Sequence, residues 1–133
     1  MSTTTSAAGL DTECVLPVRS TLMVFDRAGA LDGINGDSAL LRELARMFLD
    51  LSPAMLSKVK LAVADRDFEG TQRTVRALKG AAGHFGADKV AAAACALAGR
   101  AKARDASMVD SVYVDLEAAV AVLQTALEKF VAE

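Results

Sequence analysis

A single histidine, His84, stands at the end of a run of basic residues and glycines: Gln72, Arg73, Arg76, Lys79, Gly80 and Gly83. Read as a helix at ~100° per residue, these positions share one broad face, and Thr71, Val75, Leu78, Ala82 and Phe85 form an apolar stripe on the other. Guanidinium and ammonium groups grouped this way suit carboxylate or phosphate oxygens. An imidazole can act as a nucleophile or move a proton near neutral pH. A glycine inside a helix costs ~1 kcal/mol against alanine, and two on the basic face strip it of side chains, so a partner's backbone can come close. With one histidine, much other chemistry is excluded. Carboxylate di-iron sites need Glu-x-x-His pairs on facing helices, but Ala81 stands three residues before His84. There is no His/Cys cluster for zinc, no phosphate loop and no Ser-His-Asp set. The pattern predicts a binding surface with no metal, no cofactor and no independent catalytic centre.

The order Arg76-Ala77-Leu78-Lys79-Gly80, then Ala81-Ala82 and Phe85-Gly86-Ala87, resembles the core motif of histidine phosphotransfer (HPt) domains. That motif runs His-x-Leu-Lys-Gly, then small residues, then a hydrophobic residue followed by Gly-Ala. The likeness extends over roughly Phe25 to Phe130, including Gly36-Asp37 and Phe48-Leu49. One departure stands out: Arg76 occupies the place of the phosphorylated histidine.

The resemblance implies an all-α, antiparallel up-down four-helix bundle, preceded by an N-terminal strap or short helix. It also implies two-component phosphorelay signalling, with a response-regulator receiver domain or a hybrid histidine kinase as partner. In the family, the lysine three residues after the histidine helps neutralise the phosphoryl charge, and the glycine after it admits the receiver; Lys79 and Gly80 hold those places. Arg76 cannot replace the nucleophile, because guanidinium stays protonated and offers no lone pair. Its planar fork suits carboxylate and phosphate oxygens instead. The expectation is a pseudo-phosphotransferase that docks a receiver through Gln72, Arg73, Arg76, Lys79, Gly80 and Gly83 without carrying phosphate. Two alternatives stay open. One is a working phosphotransferase, with His84 as acceptor or with Arg76 standing in place of a native histidine. The other is a purely structural or dimerising bundle. His84 lies ~80° round the helix and ~12 Å along it from Arg76, with Ala87 and Asp88 where lysine and glycine would support it.

Apolar periodicity supplies the elements that would hold this face. Asp26 is placed to cap a short helix, Arg27 to Asp32, ended by Gly33-Ile34-Asn35-Gly36. Asp37 or Ser38 caps a long helix to about Ala64, in which Leu40, Leu41, Leu44, Phe48, Leu51, Met55, Val59 and Val63 follow three- and four-residue steps. Pro53 should kink that helix or split it. Asp65 or Asp67 caps the central helix, Phe68 to about Phe85, with Gly86 to end it. A further helix runs from Ala87 or Asp88 to about Ala103, with Val90, Ala94, Leu97 and Ala101 inward. The last, about Ser107 to Ala132, is capped by Asp105 and turns Val112, Leu116, Val120, Leu123, Leu127 and Phe130 inward. Residues 1–24 read as a tail, disordered over Met1 to Gly9 and a strap from Asp11, and 25–133 as the bundle domain.

The alanine-rich composition, with six aromatics in 133 residues, favours close-packed helices over sheet. A net charge of −2 and a pI near 5.4 give no reason to expect nucleic-acid binding. From Thr71 to Arg104 seven basic residues face one acid, Asp88, whereas from Asp105 onward six acids face the single Lys129. That asymmetry fits either pairing between neighbouring helices or a basic docking surface for an acidic site. Cys14 and Cys95 form no motif, which points to a reducing compartment. No secretory signal or membrane-length apolar run is visible, and a cytoplasmic location without membrane insertion is expected.

Overall fold

Aspartates set the starts of the helices. In the computed structural model, which describes residues 23–133, the Asp26, Asp37 and Asp67 carboxylates accept from the Gly29, Leu40 and Gly70 amides at 3.0, 3.0 and 2.9 Å. They open α1 (Arg27–Asp32), α2 (Ser38–Ala64) and α3 (Phe68–Gly83). Each bond satisfies an amide that the first turn leaves unpaired, worth ~1 kcal/mol. α4 (Asp88–Lys102) and α5 (Ala106–Ala132) lack such a side-chain bond at their first turns. Asp105, at the start of α5, instead accepts from the Ser107 hydroxyl at 2.6 Å.

The long helices touch in sequence, α2 to α3 to α4 to α5, and α5 closes the ring onto α2. Short connections make neighbours antiparallel, so the chain is an all-α up-down bundle. The inward residues expected on α4 and α5 are all buried. α2 departs from the single stripe: Leu40 and Leu51 are 42% and 52% exposed, while Ala45 and Ser52 are fully buried. The buried meridian runs Leu41, Ala45, Phe48, Ser52 and Val59. Leu40, Leu44, Met47, Leu51 and Met55 form a second apolar row beside it. α2 also passes through Pro53 as one helix. Next to that proline, the Ser52 hydroxyl accepts from Gln124 Nε2 of α5 at 2.7 Å.

Each connection between long helices contains one left-handed residue, Arg66, Gly86 or Arg104. Arg66 also reaches Asp110 of α5 through a two-pronged ion pair, and the Arg104 guanidinium lies 5.6 Å from the Phe68 ring centre. Gly86 has a different reason to be what it is. At φ +58°, a methyl group there would stand 2.6 Å from the Asp26 side chain, and the Asp26 amide donates to the Phe85 carbonyl at 2.8 Å. Gly86→Ala should therefore destabilise the fold by about 2 kcal/mol or more, from the left-handed backbone and the clash together. Urea unfolding measures this directly. A variant as stable as the parent would mean that the Met23–Asp26 segment yields freely.

That segment is tied down at several points. The Met23 amide donates to Asp88 Oδ2 at 3.3 Å, and its carbonyl accepts from the Lys89 amide at 3.1 Å. The Phe25 ring meets Phe85 and Phe130 edge-on, with centres 6.1 and 5.6 Å away. Arg27 lies over Phe130 and pairs with Glu133. The expectations for Met1 to Gly9, for Cys14 and for the strap before Met23 concern residues outside those described. Among the described residues no helix is long and apolar enough to cross a membrane.

Candidate functional site

α3 is held on its buried side by Thr71, Val75, Leu78 and Ala82, each at most 2% exposed. The helix ends at Gly83, two residues before the expected Phe85, and that ring turns in to meet Phe48 at 5.7 Å. The opposite surface is where the basic residues and glycines emerge. Gly80 lies on the crest of this surface, and a methyl group at Gly80 or at Gly83 would touch nothing within 4 Å. Neither glycine serves packing inside the bundle, although each weakens the helix.

The seven residues expected on one face divide about that crest. Arg73 and His84 fall on the side toward α2, where Arg73 lines a hollow with Met55 and Lys58. At ~100° per residue, Gln72, Arg76, Lys79 and Gly83 fall on the other side, toward α4. Arg76 is exposed. Gln72 is half-buried and its amide donates to the Phe68 carbonyl of its own helix at 3.4 Å. Lys79 differs most from expectation: its Nζ is shielded from solvent and has no hydrogen-bond partner among the described residues. Its position on the flank facing α4, rather than on the crest, accounts for the burial.

His84 does not join Arg76 and Lys79. It lies at the end of α3, exposed, with its ring edge-on to Phe85 at 6.3 Å. It lines a groove of about 140 Å³ between α2 and α3, whose other walls include Leu44, Met47, Leu51, Ala81 and Phe85. A second hollow beside it is formed by Gly83, Gly86, Gly29 of α1 and Gly33, which caps the end of α1. Asp88, expected near His84, is buried and bonded to the Met23 amide.

The groove was not anticipated from the sequence, although a signal for it was present. Met47 and Leu51 are 51% and 52% exposed, one flank away from the buried meridian of α2. Apolar residues occupying more of a helix's circumference than one core stripe needs are such a signal. The result is an apolar trough beside a bare glycine crest, with arginines on both sides of it. It offers contact area, close backbone approach and fixed positive charge, and no nucleophile at position 76.

A family model described as Hpt domain matches residues 43–132, from within α2 to the end of α5. Comparison with curated proteins and with solved structures gave no match.

Proposed function

Because the chain belongs to the Hpt domain family, whose members work in phosphorelay signalling with receiver domains and kinases, we propose that it docks a receiver domain without carrying phosphate. The receiver is that of a response regulator or of a hybrid histidine kinase. The observation that supports this most is the pair of exposed apolar residues Met47 and Leu51, with half-buried Leu44 between them and the core, beside the crest at Gly80. An apolar strip with a polar rim is what a protein partner covers. On this reading residues 25–133 are the docking unit, the protein works in the cytoplasm, and Gln72, Arg73, Arg76, Lys79, Gly80 and Gly83 face the partner. Arg76 presents a planar cation to the carboxylates or phospho-aspartate of the receiver's acidic pocket. Lys79 adds a second positive charge once its side chain swings out of the α4 flank.

Gly80→Glu tests the reading at the crest. It adds bulk and negative charge where a methyl group would touch nothing, so the bundle should stay folded. Binding to receiver domains of the same genome, with and without aspartyl phosphate, should weaken at least tenfold, while circular dichroism stays unchanged. Unaltered affinity in a folded variant would move the interface off α3. The absence of any receiver that binds the parent would remove the reading altogether.

A further inference from the structure

α5 is apolar on two opposite faces. Its inner face fills the core from Val109 to Phe130. On its outer face Val114 and Val122 are 58% and 50% exposed, and Ala118, Ala121 and Thr125 between and beside them are exposed as well. Val114, Ala118, Ala121 and Thr125 recur at steps of four, three and four, the spacing at which one helix seats against another. An ordinary surface helix carries charged residues there, and valine is a weaker helix former than lysine or glutamate. Nothing inside the bundle gains from these valines.

The charges beside this row indicate what would cover it. Glu117 and Asp110 flank it on the side of α2, and Asp115 flanks it on the side of α4, all exposed. Arg66 already offsets Asp110, which leaves Glu117 and Glu128 on one side and Asp115 on the other as negative charges, with Lys129 beyond the end of the row. A second copy of the chain fits poorly, because antiparallel two-fold pairing sets each flank against itself, Glu117 and Asp110 against the same two acids. Next to Val114 a cavity of about 360 Å³ opens between α2 and α5, lined by Val63, Ala64, Tyr113 and Val114, with Lys60, Asp110 and Glu117 at its polar edge. Its apolar lining suits the stem of a long side chain, and the carboxylates suit a cationic head. The Tyr113 hydroxyl donates to Glu117 at 3.3 Å. Burial and the Glu117 charge raise the phenol above its ordinary value, so it remains a neutral donor.

We propose that the outer face of α5 is a second docking surface, which takes a basic amphipathic helix from a partner protein. α5 stands diagonally across the ring from α3, so both surfaces can be occupied at once, and this assignment stands whether or not a receiver binds at Gly80.

The test uses the full chain and two synthetic peptides of identical leucine and lysine content, each about 18 residues or five turns long. One has leucines at alternating three- and four-residue steps, and the other has the same residues scrambled so that no helical face forms. The patterned peptide should bind at least tenfold more tightly than the scrambled one and should shift the amide resonances of residues 111–125. Ala118→Lys, an exposed change to a good helix former, should abolish that preference without loss of helix content. Equal binding of the two peptides, or binding unaffected by Ala118→Lys, would show non-specific attraction and overturn the proposal. So would shifts centred on the α2–α3 groove. A concentration-dependent dimer of the parent that Ala118→Lys dissolves would assign the face to a second copy instead.

Discussion

Arg76→His should take label from a phosphorylated receiver, where the proposed reading expects the parent to take none. The substitution places an imidazole on the exposed side of α3, three residues before Lys79 and four before the open crest at Gly80. An exposed imidazole keeps its pKa near ~6.5, so at pH 7.5 about nine tenths is neutral and nucleophilic. Its nitrogen attacks the phosphorus of the receiver's aspartyl phosphate, the bond from phosphorus to the aspartate oxygen breaks, and the carboxylate leaves. The product should be acid-labile and base-stable, as phosphohistidine is. The parent and Arg76→Ala should take no label, and adding His84→Ala to the Arg76→His variant should change nothing. Adding Lys79→Ala should slow labelling, because the ammonium that would meet the phosphoryl oxygens is gone. If the parent itself is labelled and His84→Ala removes the label, the acceptor is His84 and docking without transfer is wrong. If Arg76→His binds the receiver but stays unlabelled, the missing function extends beyond one side chain.

Phe85→Ala should be the most destabilising single change near the site, at about 3–5 kcal/mol. The Phe85 ring is 1% exposed and meets both Phe25 and Phe48 edge-on. Its loss leaves a void where α2, α3 and the segment before α1 converge, and removes one wall of the groove beside His84. Small domains are stable by only ~5–15 kcal/mol in total, so the melting temperature should fall by roughly 10 °C or more. Calorimetry or urea unfolding would measure the change. A loss below ~1 kcal/mol would mean that neighbouring rings collapse into the space, and that the junction is not close-packed.

Three of the helix starts were legible because an aspartate before an apolar run has a specific task, accepting from an amide three positions on. Asp26, Asp37 and Asp67 all perform it. The inner faces of α4 and α5 were legible because each carries its larger inward residues on one stripe. On α2 two apolar rows lie side by side, and steps of three and four run through both. Periodicity alone could not separate Leu41 in the core from Leu40 and Leu51 outside it. The α3 surface divided for a related reason. A helix wheel shows which residues face away from the core, but α3 is flanked by helices on both sides. Lys79 is therefore covered while Arg76 is not, a difference set by neighbours whose positions the wheel does not contain. Pro53 could have kinked or split α2, and the continuous helix is a tertiary outcome.

The bond between Ser52 and Gln124 does something the apolar contacts cannot. Most of the inward residues of α2 and α5 are leucine, valine or alanine, and cores tolerate exchanges among these with modest loss. A one-turn slide of α5 along α2 would therefore forfeit little apolar burial. The same slide would strand the fully buried Ser52 hydroxyl among carbon atoms, at about 1–3 kcal/mol for a polar group left without its partner. With the Arg66–Asp110 ion pair at the end of α2, this buried polar pair favours a single axial register for two 27-residue helices, and with it the height at which the outer row of α5 stands relative to the α2 groove.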